Sequence, residues 1–488
     1  MHVDVCSDSS FALEGMSFIP YIYYSNMRKL LLFIVSLMGM LNVSAQTKSL
    51  HQLQQEFVDL RFGMFNHFST STFLNQDWAD PSCPPEVFNP AKLDCSQWAK
   101  AAKSANMTFG CLSVKHHSGF CMWETKTTDY NVMNSGIKRD FMKEYVDAFR
   151  AEGMEIMFHY SILDLNAKLV RNHITLDHVE MVKEQIRELL TNYGPIKALM
   201  FDAWDAPWSR LTYEDISFEE IYRLAKSIQP NCLVMDLNGA TYPSEGLFYS
   251  EIKTFEQGAG QKISKDKNFL PSMACYPIQD TWFWKDYMPN KPTKKAEEMV
   301  NDNLIPMNKV CCTFILNVAP NRDGLLDENA VETLKKIGKM WKNDAPQVKV
   351  AETGEPIISK NLALGQWCES SWGLDTEIAD LAIDGHFYTS WRTEPRIKEP
   401  WWQVNFKEIT SFNTIAITQD KDDVSQSYRI EYRLNGEWKT IFEGDAPTFR
   451  RVKLHRFDTV YGDAMRVTFL KSKGSTCISE VGVYYERR

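Results

Sequence analysis

The sequence lacks an excess of positive charge. Its 54 Lys and Arg stand against 63 Asp and Glu, for a net charge of −9. A nucleic-acid partner, which calls for a basic face, is therefore not expected. No Cys-x-x-Cys pair occurs among the 11 cysteines, and no His-Glu-x-x-His, so the common zinc spacings are missing. Internal repeats and low-complexity tracts are also missing. A long apolar run is absent as well: Leu30 to Leu41 is too short for a comfortable membrane span. That run follows Arg28 and Lys29 and precedes Val43-Ser44-Ala45, the order found in a secretory leader. The reading is a signal peptide over residues 27–45 with cleavage after Ala45, preceded by a start-site misassignment over 1–26. The mature chain would carry no membrane span and would be exported, periplasmic or extracellular. Export permits disulfides. Cys111, Cys232, Cys311 and Cys312 nevertheless fall in predicted strands, where Cys commonly acts as a small core hydrophobe.

What the sequence does have is alternation. Between about residues 55 and 342, short apolar runs alternate with longer amphipathic ones. The runs are RFGMFNHF, FGCLSVKHH, MEIMFHYS, IKALMFD, NCLVMDLN, GLFYSEIKTFE, a weak one near DTWFW, and CTFILNVAP. The stretches between them are helix-like, with Asp94 a candidate N-cap and Gly153 a candidate C-cap. Strand-then-helix order predicts parallel strands with crossover helices. Eight such units predict an α/β fold, a (β/α)8 TIM-like barrel over 46–345. A linker follows over 346–356. From 357 to 488 the segments are short and alternating, with a turn signal at Asn435-Gly436, which predicts a C-terminal β-sandwich.

Active sites of such barrels lie at the C-terminal ends of the strands. Here those ends are polar: Asn66-His67, Lys115-His116-His117, His159-Tyr160, Asp202 and Glu256. The expectation is a shared polar cup. Two carboxylates flanking a glycosidic oxygen suffice for glycoside hydrolysis. Asp202, directly after an apolar strand, suits the nucleophile. Glu256 suits the acid/base, with Glu251 as runner-up. Neutral imidazoles suit sugar hydroxyls because they both donate and accept. Adjacent histidines on a regular strand diverge, so His116 and His117 are not expected to chelate one ion, and no catalytic metal or cofactor is expected.

With these residues in place, the region from Leu60 to Trp341 resembles the family 29 α-L-fucosidases. RFGMFNHFS is similar to the family's KFGIFIHWG, KHHSGF to KHHDGF, and FHYSILDLN to YYSLLDW. ELLTNYGPIKALMFDAW and FILNVAPNRDG resemble two further segments. The resemblance implies that His67, His116, His117 and Tyr160 contact sugar and that Asp202 is the nucleophile. It favours Glu256 as acid/base and makes Asp77 and Trp78 of QDWAD sugar contacts. The implied reaction is retaining exo-hydrolysis of terminal α-L-fucosyl residues from an oligosaccharide or glycoconjugate, with carboxyl groups about 5–5.5 Å apart in the closed site. There are departures from the pattern. Ser118 replaces Asp, Phe68 replaces Trp, and Leu237 stands where some members have a sugar-contacting Arg. They leave open a related sugar such as L-galactose, or an inactive glycan-binding barrel.

The C-terminal region resembles discoidin-like, jelly-roll modules through LAIDGHFYTSWRTE and WWQVNFKEITSFNTIAI. Many carbohydrate-binding modules share that fold. Some members hold a structural calcium; the resemblance neither requires nor forbids one here.

Overall fold

The computed structural model describes residues 47–485, apart from 172, 205, 207, 210, 212–214, 217, 238–249, 258–270, 351–360, 375–376, 385–388, 420–424 and 446–451. The expected leader and the segment before it lie outside the described residues, as does 351–356 of the expected linker. Among the described residues, no helix is long and apolar enough to cross a membrane.

Eight parallel strands close into a barrel in sequential order. They are β1 (Phe62–Asn66), β2 (Phe109–Lys115), β3 (Glu155–Ser161), β4 (Ala198–Asp202), β5 (Leu233–Asp236), β6 (Lys253–Glu256), β7 (Ser272–Pro277) and β8 (Cys312–Asn317). Each strand is covered on both faces, which explains the near-continuous apolar runs. Successive side chains alternate between two cores. Phe65, Cys111, Met157, Met200, Met235 and Ile315 fill the interior. Their neighbours Met64, Leu112, Phe158, Phe201, Val234 and Phe314 pack outward among the helices. Fully burying one such side chain stabilises by roughly 1.5–3 kcal/mol.

Helix α1 (Leu50–Leu60) begins with a capping box between Ser49 and Gln52. It sends Leu53 and Phe57 into the inner cluster, beside Phe109, Ala198 and Leu233 at the strand beginnings. The N-terminal mouth of the barrel is thereby plugged, and the strand ends on the other side carry the polar cup. The covering helices include α2 (Cys95–Ser104), α3 (Phe141–Ala151), α4 (Leu176–Asn192), α5 (Phe218–Ile228) and α6 (Glu328–Met340). Asp94 caps α2 by accepting from the Gln97 amide at 3.0 Å. Gly153, two residues past α3, takes φ +74° to turn the chain.

One strand differs from the sequence reading. The seventh strand is Ser272–Pro277, not the aromatic run near 280–284. Small residues (Ser272, Ala274, Cys275) make it weakly hydrophobic in sequence, yet both neighbours pair with it in register. The aromatic run is the loop that follows, and it reaches into the site.

The end of β2 explains why a buried strand finishes in Lys. Lys115 faces outward, fully buried, and its Nζ meets Tyr160 Oη at 2.9 Å, Gln185 Oε1 at 3.0 Å and Asp164 Oδ2 at 3.2 Å. Burial alone would strip its proton; Tyr160 and Asp164 outweigh that and keep the ammonium charged. The cluster joins β2, β3 and α4 and anchors the β3–α4 loop. There the Leu165 amide donates to the His117 carbonyl at 2.9 Å.

The C-terminal domain is a β-sandwich with its own core, built from residues such as Trp391, Trp402, Val404, Ile430, Val467 and Val481. Its main sheet runs β13 (Glu437–Asp445), β12 (Ser425–Leu434), β14 (Val452–Ser472), β11 (Trp401–Thr418), β16 (Glu480–Tyr484), with β9 (Trp367–Ser370) added on β11. A two-stranded sheet of β10 (Trp391–Arg392) and β15 (Cys477–Ile478) faces it. Asn435 and Gly436, both at positive φ, turn β12 into β13.

Because Lys115 is paired and dry, removing one partner leaves a bare buried charge. Asp164→Ala is expected to cost about 3–5 kcal/mol in chemical denaturation. Lys115→Met combined with Asp164→Leu should recover most of that loss.

Candidate active site

Asp202 is the last residue of β4 and only 6% exposed. His159, two strand positions from the buried Met157, faces the same interior, and its Nε2 lies 3.0 Å from Asp202 Oδ2. The other ring nitrogen of His159 meets Ser113 Oγ at 3.0 Å. Since a carboxylate accepts, His159 donates through Nε2, and Ser113 donates to Nδ1. Ala203 adopts φ +64°, which folds its amide back onto Asp202 Oδ1 at 2.6 Å. Burial opposes the charge on Asp202. The His159 hydrogen bond, helped by the neighbouring imidazoles, outweighs it and holds the carboxyl well below the usual range.

The chain past β2 turns sharply. The Gly119 amide donates to the His116 carbonyl at 2.9 Å, and Gly119 sits at φ +91°. This turn brings the His116 and His117 rings to 3.9 Å between centroids. The expected divergence of adjacent histidines is therefore corrected: the strand has ended at Lys115, and strand alternation no longer applies. His117 Nε2 stands 3.8 Å from Asp202 Oδ2.

The hydrogen bonds assign the tautomers. Ser161 Oγ donates to the Leu163 carbonyl at 2.8 Å, so it accepts from His117 Nδ1 at 2.8 Å. His117 Nε2 is left as a lone pair. Asn317 Nδ2 donates to the Trp282 carbonyl at 2.8 Å, so its Oδ1 accepts from His67 Nδ1, also at 2.8 Å. His67 Nε2 is likewise an acceptor. His116 Nδ1 is buried with no hydrogen-bond partner among the described residues, and so is Ser118 Oγ, at one of the departures. Burial pulls His67 down to about 3. Burial likewise pulls His117 down to about 4, although Asp202 pulls the other way. His116 is held well below its ordinary value, again chiefly by burial. These three rings are neutral near pH 7.

Glu256 ends β6 and is half-buried. Trp282, from the loop after β7, donates its indole N–H to Glu256 Oε1 at 3.1 Å. The same indole packs on His67 with centroids 5.2 Å apart, and His67 packs on His159 at 5.4 Å. A continuous set of contacts thus runs from Glu256 through Trp282, His67 and His159 to Asp202. Buried Cys275 feels both carboxylates: burial, then Glu256 and Asp202, push its thiol far up.

Not every expected residue joins this cup. Tyr160 is fully buried on the outer face of β3, bonded to Lys115 and to Gln185 at 2.5 Å. Its neighbours His159 and Ser161 point inward, and strand alternation forces Tyr160 outward. Glu251 precedes β6 and is sealed against α5. There it meets Lys226 at 2.8 Å, Tyr222 Oη at 2.9 Å and the Val234 amide at 2.6 Å. Burial raises its carboxyl, but its position, not its protonation, removes it from the cup. Asp77 pairs with Lys285 at 3.1 Å. Trp78 is 47% exposed and lies against His117 at 4.7 Å. Trp208 touches both, 4.8 Å from His117 and 5.2 Å from Trp78. Two exposed indoles and one imidazole therefore form a three-ring cluster. Phe283, 4.9 Å from His116, closes the wall.

Sequence reasoning put His159 among the polar strand ends but gave it no role, and passed over Ser161, Asn317, Trp208 and Trp282. His159 and Ser161 were accessible through period-two alternation along β3. Asn317 ends β8, as Asp202 ends β4. Trp282 and Trp208 lie in loops, where no periodicity marks which way a side chain points. Among the other departures, Phe68 packs against Phe88, Trp98 and Phe141, and Leu237 belongs to the inner apolar cluster.

Depressed histidines link folding to pH. An unfolded chain takes up protons below about pH 6.5 that folded His67 refuses until about pH 3, so stability is present above that window and falls as pH falls through it. His67→Gln should flatten the decline between pH 6 and 4 by up to about 1.4 kcal/mol per pH unit. Denaturation midpoints across that range measure it.

Residues 77–345 match the alpha-L-fucosidase family, and residues 366–481 match the F5/8 type C domain. Alpha-L-fucosidase 1 of Arabidopsis thaliana is 25% identical over 466 residues, covering 90% of this chain and 87% of that protein. The tissue alpha-L-fucosidase of Homo sapiens is 21% identical over 299 residues, 59% of this chain and 58% of its own. Among solved structures, alpha-L-fucosidase isoenzyme 1 from Paenibacillus thiaminolyticus superposes with a TM-score of 0.53 at 20% identity, covering 87% of this chain and all of that one (100%). A Ruminococcus gnavus family 29 fucosidase in complex with fucose gives 0.50 at 19% identity, over 90% and 95% of the two chains. These two likenesses bear on the fold alone. The family match spans more than half of the sequence, in the barrel that carries Asp202 and Glu256, and the chain belongs to the α-L-fucosidase family, glycoside hydrolase family 29, with a C-terminal F5/8 type C module.

Proposed function

We propose that this protein is an exported, retaining exo-hydrolase that removes terminal α-L-fucosyl residues from oligosaccharides or glycoconjugates. Asp202 acts as nucleophile and Glu256 as acid/base. The observation that carries this reading is the state of Asp202: a nearly dry carboxylate kept ionised by His159 at the open end of the barrel.

The sugar enters with its anomeric carbon toward Asp202. Hydroxyl groups donate to the bare Nε2 atoms of His117 and His67 (neutral imidazoles able to accept without bringing a competing charge). Asp202 Oδ attacks the anomeric carbon, and the C–O bond to the leaving group breaks. Glu256 gives its proton to the departing oxygen. Water then attacks the glycosyl ester, Glu256 takes the proton back, and Asp202 is released as a carboxylate. Trp282 orients Glu256 by donating to Oε1. Trp78 and Trp208 offer apolar faces at the mouth, where a sugar ring can stack. Export rests on the leader read at residues 27–45.

The tests separate the two carboxylates. Asp202→Asn should lower kcat on an aryl α-L-fucoside by about 10³-fold or more, since the covalent route is gone. Glu256→Ala should depend on the leaving group, with little loss on a nitrophenyl fucoside and about 10²–10⁴-fold loss on a fucosyl oligosaccharide. NMR of the first product should show the α anomer; β as first product rejects the retaining route. Leu237 presents no charge to the sugar, so an aryl α-L-galactoside belongs in the same assay. Turnover of the galactoside without the fucoside moves the substrate to that sugar, and binding without any turnover rejects the hydrolase.

A further inference from the structure

We propose that the cup is also a binding site for a borderline divalent cation, zinc or copper(II), held by Asp202, His117 and His116, and that the ion excludes the sugar. One ligand atom from each of these three buried residues lies within 4.8 Å of the other two. Zinc bonds of about 2.0–2.1 Å in a tetrahedron place ligands roughly 3.3 Å apart. His117 Nε2 and Asp202 Oδ2, at 3.8 Å, need only a small rotation to meet that spacing.

Three features suit a metal beyond the clustering. His117 is tethered through Nδ1 to Ser161 Oγ, with its lone pair on Nε2 facing the carboxylate. A histidine anchored through one nitrogen and free at the other is the usual form of a metal ligand. His116 Nδ1, in a residue only 7% exposed, has no hydrogen-bond partner among the described residues, so the cup contains an orphaned nitrogen. The turn at Gly119 brings both imidazoles side by side, which a regular strand would not do. Two nitrogens and one oxygen favour zinc and copper(II), whereas calcium and magnesium demand mostly oxygen. Asp202 keeps its hydrogen bond from His159, which then orients the carboxylate from behind.

The binding claim stands on geometry alone; the exclusion of sugar rests on the function proposed above. Zinc titrated into the purified full chain is followed by calorimetry, with Cys83→Ser as background. Cys83 is the only cysteine of the described residues that is not buried. One site is expected, weakened at least tenfold in Asp202→Asn and in His117→Gln, and tenfold or more by Ser161→Ala, which removes only the tether. With an aryl α-L-fucoside, zinc should raise KM in proportion to its free concentration, leave kcat unchanged, and be reversed by EDTA. Magnesium at the same concentration should do nothing. Equal zinc affinity in wild type, Asp202→Asn and His117→Gln overturns the site, as does inhibition that lowers kcat at constant KM. Absence of turnover on every aryl glycoside defeats the proposed function instead, and the calorimetry still decides the metal site.

Discussion

The hydrogen bond from His159 to Asp202 is the constraint on which the rest of the site depends. A carboxylate at the end of an apolar strand would ordinarily take up a proton and lose its nucleophilicity. Here one imidazole donates to it at 3.0 Å and the Ala203 amide donates from the other side, at the cost of a left-handed backbone at Ala203. Such conformations are costly for a residue with a Cβ and persist where the surrounding structure holds them. The charge on Asp202 is therefore built into the barrel wall rather than supplied by solvent.

Around that charge the remaining histidines are arranged as neutral groups. Ser161 and Asn317 each have their donor committed elsewhere, so each accepts from an imidazole. His117 and His67 are left with bare nitrogens. This arrangement suits hydroxyl ligands, and it has a second consequence: a carboxylate beside unprotonated imidazoles is also metal-binding chemistry. On the proposals above, the same neutrality would serve both a sugar hydroxyl and a borderline cation.

The outer faces of the same strands do different work. Lys115 belongs to the KHH stretch, yet it turns away from the cup into a dry network with Asp164, Tyr160 and Gln185. That network holds the loop whose Leu165 amide meets the His117 carbonyl. The inward-facing cup and the outward-facing anchor are thus one residue apart in sequence. Asn317 plays the corresponding part on the other side of the cup, tying His67 to the loop that carries Trp282 and so to Glu256.

Much of this was legible beforehand, and the pattern of what was not is physical. The barrel showed itself in alternating apolar runs, and Asp202 and Glu256 in polar residues placed directly after them, because strand ends map onto one face of this fold. Tyr160 was taken as the inward residue and His159 beside it was given no role, because adjacent residues on a strand face opposite ways and choosing between them needs the register. The seventh strand was displaced toward the aromatic loop because hydrophobicity alone favoured Trp over Ser, Ala and Cys. Composition and order along the chain determined the fold class, the two-domain plan and the two carboxylates, since these rest on local periodicity and on which residue types follow each run. Only the tertiary structure decided which nitrogens of His67 and His117 are bonded, which loop indole holds Glu256, and that His116 and His117 lie side by side. Those depend on hydrogen bonds and packing between residues distant in the chain, which no local pattern encodes.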